Sequence, residues 1–325
     1  MLPVLESLLP EFLFFMSFAG VFMILALGLN LQWGYTGLFN IGVAAFWAVG
    51  AYTSAILTVS PREAGIIAGH LGFNQPFIVG FLGAILVTAF LGFLISLPSV
   101  RLRADYLAIA TLGMAEIIRI FLVQLRDTTG GTEGIRNIPK PIRFEEVLLT
   151  NAAFIGVVIL VIIVIYFLLE YGTRSPWGRV LKAIREDEEA ALSLGKNTFR
   201  YKVVAFTLGA GIMGAAGSLY AHFLTFVEPL TSFRPFETFV IWAMVIAGGS
   251  GNNKGVLLGA ILIWGYEFVT LRMETALGKL PVIGPWIADN IQFLRLMTVG
   301  LLVVFLVLFR PQGILGEERV ISKRR

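Results

Sequence analysis

Residues 151–169 read NAAFIGVVILVIIVIYFLL, nineteen positions without one charged side chain. A helix of that length rises about 28 Å, close to the ~30 Å hydrocarbon core of a bilayer. Working outward from this stretch, comparable apolar segments lie near 11–31, 37–60, 76–97, 105–125, 203–226, 236–250, 255–271 and 291–309. The expected architecture is all-α: a polytopic integral membrane protein with about nine transmembrane helices in one domain. The segment 236–250 is the exception in length. Its apolar part, Phe239 to Ala247, is too short for a straight span and runs into Gly248, Gly249 and Gly251, so a tilted, broken or partly unwound helix is expected there.

Composition agrees. Of 325 residues 57% are apolar, 14% are charged and 27 are Phe, with a mean hydropathy of +0.83. Soluble domains are about a quarter charged, so this chain needs lipid as a second solvent. A soluble enzyme, a nucleic-acid binder and a disulfide-built secreted module are excluded. Cys is absent, which removes thiol catalysis, thiolate metal sites and disulfides.

Lys and Arg set the orientation, because cytoplasmic loops retain them during insertion. Residues 171–202 carry seven (Arg174, Arg179, Lys182, Arg185, Lys196, Arg200, Lys202) and the tail from Arg310 carries five. Arg101, Arg103 and Lys254 bring one side to fifteen of 25, against eight in the opposite loops and Arg119 and Arg295 inside spans. The C-terminus is expected to be cytoplasmic and, after nine crossings, the N-terminus outside. The N-terminus lacks the positive region and cleavage pattern of a signal peptide and reads as a retained first helix.

Three segments stand out from simple spans. Ser175 and Pro176 are a helix-start pair, Val180, Leu181, Ile184, Ala191 and Leu192 form an apolar stripe, and Gly195 is a stop. Lys182, Arg185, Glu186, Asp187, Glu188 and Glu189 take the other face, with Arg185 and Glu189 spaced to pair. Two readings stay open for 175–195: a solvated amphipathic linker, or a surface helix whose apolar side docks into another protein. In the glycine-rich GYTGLFNIGVAAFWAVGAY, 34–52, Gly42 allows close approach or a break and Asn40 is placed to bond a freed carbonyl. In DYLAIATLGMAEIIRI, 105–120, Glu116 lies about 16 Å into its span by helical rise, and Arg119 shares its face. That pair is either a structural ion pair or a contact of a permeation path. Glu267 is a second intramembrane carboxylate, with Arg295 as its expected partner.

Other strings read as structure. GGSGNNKG, 248–255, lacks Gly-Lys-Ser/Thr and is a turn, not a phosphate cradle. GAGIMGAAGS, 209–218, spaces small residues four apart, as a tight helix–helix face does. His70 and His222 stand alone, and neither a catalytic set nor a metal or cofactor site is assembled.

Four blocks resemble a known family: GYTGLFNIGVAAFWAVGAYT at 34–53; DYLAIATLGMAEIIRI at 105–120 with TGGTEGI at 129–135; SPWGRVLKAIREDEEAALSLGKNTFRYKVVAF at 175–206; and VIAGGSGNNKGVLLGA at 245–260. The chain resembles the M-type (LivM) permease subunit of branched-chain amino acid ABC importers. Val43, Ala104 and Lys254 depart from that family's usual residues, and the first of these departures weakens the exact substrate most. The resemblance implies a single permease domain over 1–325 in the plasma (inner) membrane, without a nucleotide site of its own. It also implies that 175–195 is a cytoplasmic coupling helix, with Arg185, Glu186, Glu189, Ala190, Ala191 and Gly195 meeting an ATPase. Implied partners are a paralogous H-type permease, two ATP-binding subunits and an extracytoplasmic substrate-binding protein, with Leu, Ile or Val as cargo. A urea or short-amide permease of the same family is the alternative substrate reading. An ion-coupled secondary transporter using Glu116 and Glu267 is the alternative class, and a membrane enzyme is a weaker third.

Overall fold

The computed structural model describes residues 2–61, 71–277, 284–310 and 312–317; His70 and the last eight residues, with their basic cluster, lie outside them. Helices occupy all nine expected segments. In chain order they are α1 (Leu2–Leu29), α2 (Val43–Thr58), α3 (Phe77–Ser99), α4 (Ala104–Gln124), the short α5 (Arg126–Thr129), α6 (Val147–Arg174), α7 (Pro176–Glu186), α8 (Glu188–Ser193), α9 (Thr198–Leu224), α10 (Pro235–Gly248), α11 (Asn253–Leu277) and α12 (Gly284–Phe309). A π-helical turn, Asn30–Gly34, ends α1. Among the described residues five helical segments are long and apolar enough to cross a bilayer alone: 9–34, α3, α4, α6 and α9. α2 and α10 are shorter; at 16 and 14 residues they rise about 24 and 21 Å. The doubt about 236–250 thus resolves into a short helix that Gly249 ends at φ +112°.

The centre of the bundle is α9. Its span is 78% buried, against 22–28% for α3, α4 and α6, which form the periphery. Lipid offers no hydrophobic reward for burying large side chains, so helices gain most by close backbone approach through small residues. The sequence of α3 shows the resulting inversion: Ile78, Leu82, Leu86 and Phe90 face outward while Gly80, Ala84, Thr88 and Gly92 are buried. On α9 the small-residue string expected to make a tight face does so against α2. A Cβ added to Gly50 would lie 2.4 Å from the Gly214 carbonyl oxygen, and one added to Gly217 would lie 2.2 Å from that of Trp47.

The two ends of the bundle are closed differently. At one, β1 (Ile135–Arg136) pairs antiparallel with β2 (Phe226–Val227). There His222 at the end of α9 is fully buried, its Nε2 2.9 Å from Ser54 Oγ and its Nδ1 against the Pro139 carbonyl. At the other end the chain after α12 returns as a strap. Ile314 and Leu315 donate their amides to the Ala247 and Gly248 carbonyls at 2.9 and 3.0 Å, and Asn252 Nδ2 donates to the carbonyls of Leu315 and Gly316. Glu317 then meets Lys182 Nζ and Arg185 Nη2, each at 2.7 Å. Burial alone would raise the Glu317 carboxyl, but these two cations hold it below the usual carboxylate range. Arg185, Lys182, Gly251 and the strap therefore share one end, where the Arg101 guanidinium also lies over Phe199.

Two outcomes follow from this packing. Gly50→Leu is expected to lower the thermal midpoint of the purified protein, because overpacking costs about 1–3 kcal/mol. Gly156→Ala, which meets no atom within 4 Å, should hold or raise it. For the strap, a depressed carboxylate contributes fully above the unfolded value of about pH 4.3 and its contribution is lost as pH falls through the lower folded value. Hydrogen exchange at the Ile314 and Leu315 amides should stay slow from neutral pH down to about 5. It should quicken about tenfold in Glu317→Gln, which loses charge-assisted bonds; equal exchange in the two proteins would remove the ion pairs from the account.

Candidate functional site

The end that gathers Lys182, Arg185 and the strap carries the segment singled out as a coupling helix, and its start and stop are as expected. Ser175 Oγ accepts from the Trp177 amide at 3.2 Å with Pro176 in the first turn. At the far end Gly195 takes φ +76°, and the amides of Gly195 and Lys196 bond the carbonyls of Leu192 and Ala191 at 2.9 and 3.2 Å, a Schellman turn. Between them the single helix of the sequence reading is two. Asp187 is extended (φ −155°) and its Oδ1 accepts from the Ala190 amide at 2.9 Å, so it ends α7 and caps α8. Lys202 Nζ reaches back to the Glu188 carboxylate and fixes the elbow.

This break changes two expectations. Arg185 and Glu189 are no longer on one helical face and do not pair. Instead Arg185 turns inward, bonding Glu186 (2.7 Å) and Glu317 with Nη2 and the Gly34 carbonyl with Nη1. Burial works against the Arg185 charge, yet the bonds to Glu317 and Glu186 more than offset it and its pKa rises. Nor does the apolar stripe face outward as a whole. Leu181, Ile184 and Ala191 are buried in their own chain, while Leu192 and Leu194 project at 51% and 79% exposure, beside exposed Glu186, Glu189 and Ala190.

Asn40 and Gly42 lie on the stretch between the π-turn and α2, which the sequence reading took as part of a span and which is non-helical. Asn40 does not bond a freed carbonyl. Its Oδ1 accepts from the Gly42 amide and its Nδ2 donates to Gln32 Oε1, both at 2.7 Å, while its own carbonyl accepts from Trp242 Nε1 at 3.0 Å. The Ile41 amide bonds Thr111 Oγ1 at 3.0 Å and Ala44 bonds Thr238 Oγ1 at 3.1 Å. Gly42 is required here because a Cβ would sit 2.7 Å from the Thr111 carbonyl oxygen. Gln32 Nε2 closes the cluster on the Phe206 carbonyl at 2.8 Å.

Glu116 and Arg119 pair as their spacing suggests, Arg119 Nε donating to Glu116 Oε2 at 2.9 Å. Their side chains are 40% and 25% exposed, at the edge of α4 beside Ala44, Ala45 and Ala48 of α2 and next to Phe233 and Pro235. Glu267 meets Arg295 at 2.9 Å, also as expected. The glycine string 248–255 is a turn: Asn252 Oδ1 caps the Lys254 and Gly255 amides at the start of α11, and Gly249 is pressed on the strap.

One feature escaped the sequence. Between α1, α2, α9, α10, α11 and α12 lies a cavity of about 660 Å³, walled by Phe18, Phe22, Trp47 and Trp264 and carrying Glu237 and Arg295. Its aromatic residues sit in apolar segments where rings at helical spacing are ordinarily packing, and only Arg295 and Glu267 marked it.

The profile of a family described as "Branched-chain amino acid transport system / permease component" matches residues 12–308. The chain is 34% identical to the high-affinity branched-chain amino acid transport system permease protein LivM of Salmonella typhimurium, over 92% of this chain and 68% of that one. It is 27% identical to the probable LivM of Methanocaldococcus jannaschii, covering 93% and 92%, and 25% identical to LivH of Escherichia coli K12, covering 95% and 98%. No solved structure matches it. With its polytopic helical bundle and a profile match over most of its length, the chain belongs to the branched-chain amino acid transport permease family.

Proposed function

We propose that this chain is the M-type transmembrane subunit of an ABC importer that carries Leu, Ile or Val inward, with the basic end cytoplasmic and the N-terminus outside. The observation that carries the reading is the elbow of α7 and α8. It is rigidly seated through Leu181, Ile184 and Arg185, yet presents Leu192 and Leu194 with no described residue covering them. Exposed Leu on a capped, braced turn suits a lever whose tip seats in a cleft of an ATP-binding subunit. Closure of that subunit would push on α7, and through Arg185 on Gly34 and the strap. Glu189, Ala190, Ala191 and Gly195 supply the tip's shape.

The Glu116–Arg119 pair supports a second permease chain as partner. A partly exposed ion pair about 16 Å deep is expensive against lipid, so its face of α4 is covered in the assembly by protein or lines a wet path. A paralogous H-type subunit supplies that cover, and a soluble binding protein would deliver cargo at the opposite end.

Three measurements test this. In proteoliposomes holding the whole complex, Gly195→Val should cut leucine carried per ATP hydrolysed about tenfold, since φ +76° strains a β-branched residue and unmakes the turn. Leu194→Asp should abolish co-purification of the ATP-binding subunits, and full retention would refute the docking role. Glu116→Gln is expected to lose the H-type chain on purification, and Glu116→Gln with Arg119→Met to regain it in part, because removing one member leaves the other uncompensated.

A further inference from the structure

The cavity between α1, α2, α9, α10, α11 and α12 is not used by the elbow, the strap or the α4 pair, and its chemistry is specific. It lies at the end remote from Arg185, where Glu11 of α1 pairs with Arg272 of α11. Its volume of about 660 Å³ falls within the ~300–1,000 Å³ of small-molecule sites. One wall is aromatic and continuous. Phe18 stacks on Trp264 at 5.1 Å, Phe22 lies 4.9 Å from the same ring, and Trp47 packs edge-on against Tyr220 at 4.7 Å.

Against that apolar wall stand polar groups whose bonding capacity is left over. Glu237 is in the first turn of α10, and no hydrogen bond or ion pair joins its carboxylate to another described residue. The Trp47 indole lines the same cavity with its ring, and its Nε1, which has no partner among the described residues, is enclosed by the protein. Arg295 spends its Nε on Glu267, but a guanidinium has five N–H donors and one carboxylate cannot take them all. A buried polar group without a partner is costly, and a site that keeps a spare acceptor and a guanidinium together is matched by a ligand that brings both charges.

Resting on the permease reading above, we propose that this cavity is a binding site, within this chain alone, for a zwitterionic α-amino acid with an aliphatic side chain. Glu237 accepts the ammonium, Arg295 donates to the carboxylate, and the Phe18, Phe22 and Trp264 rings hold the side chain. The aromatic faces also favour the ammonium. Urea, with no charge and no apolar body, would leave both the rings and the carboxylate unmatched.

The test uses the whole complex in nanodiscs without the binding protein, with tritiated leucine as probe. Saturable leucine binding is expected, with isoamylamine (ammonium only), 4-methylpentanoate (carboxylate only) and urea each competing about tenfold or more worse than leucine. Glu237→Gln should weaken leucine binding about tenfold or more and Arg295→Lys, which keeps a charge beside Glu267, about fivefold. Should Glu237→Gln fail to assemble, Arg295→Lys decides alone. No saturable binding by the unaltered complex, or unchanged binding in Arg295→Lys, overturns the site; isoamylamine matching leucine overturns the zwitterion. ATP-driven leucine uptake by the same unaltered complex keeps the two ideas apart. Uptake with an indifferent cavity removes only this inference, whereas no uptake removes the permease reading.

Discussion

Hydrocarbon offers no hydrogen bonds, and the structure is organised around meeting that constraint wherever the chain is not helical. A spanning helix satisfies its own backbone, so the problem concentrates at two interruptions, the stretch between the π-turn and α2 and the glycine turn between α10 and α11. Both are met from inside the protein. At the first, Asn40, Thr111, Thr238 and Trp242 each supply one bond to the unwound backbone. At the second, Asn30 Oδ1 accepts from the Gly251 amide at 2.9 Å and Asn30 Nδ2 donates to Asn253 at 3.0 Å. Asn253 passes the connection to Glu170 of α6 at 3.1 Å. The buried Asn30, Gln32 and Asn40 are therefore scaffolding before they are anything else, and the short helices α2 and α10 exist because the backbone could be satisfied at their inner ends.

The same constraint explains what the sequence revealed and what it withheld. Spans were legible because apolar runs of bilayer length have few other meanings. The start at Ser175–Pro176, the stop at Gly195, and the Glu116–Arg119 and Glu267–Arg295 pairs were legible because each depends on residue type with short spacing or on a single matching charge. The break at Asp187 was not, since an acidic residue within an amphipathic stripe looks like surface until its side chain is seen capping the next helix. Nor was the inward turn of Arg185, whose partner Glu317 is 132 residues away. Asn40 was recognised as a residue that meets a broken backbone, yet its Oδ1 accepts from the Gly42 amide and its Nδ2 does not donate to a backbone carbonyl, because Gln32 Oε1 accepts from that Nδ2 and Trp242 of α10 donates to the Asn40 carbonyl.

Packing by small residues has a consequence for the periphery. With α9 enclosed through Gly214 and Gly217, the outward faces of α3, α4 and α6 carry their large side chains to the surface. Most of that surface is uniformly apolar, as lipid requires. The half-exposed ion pair on α4 breaks the uniformity, and a charge pair is the one feature of such a face that lipid cannot accommodate cheaply. Surface chemistry thus distinguishes the face of α4 from those of α3 and α6.

The two interruptions also lie on one connected route. From the elbow, Arg185 reaches the Gly34 carbonyl at the end of the π-turn and stands beside Gly251. Within that turn Asn30 holds Gly251, and Gln32 holds both Asn40 and the Phe206 carbonyl of the central helix. Asn40 in turn receives Trp242 of α10, whose first turn carries Glu237 at the cavity. A displacement of α7 cannot be absorbed by side-chain slack at Arg185, since that side chain is tied at Gly34, Glu186 and Glu317. It must move the end of α1 or break the buried bonds that Asn30 and Gln32 make there. Among the described residues, the chain interrupts these helices where polar side chains bridge to the elbow of α7 and α8, which places its deformable points on the line between the proposed lever and the proposed cargo site. The helices on either side of those points remain rigid because they satisfy themselves, which is the mechanical condition for a push at one end to be felt at the other.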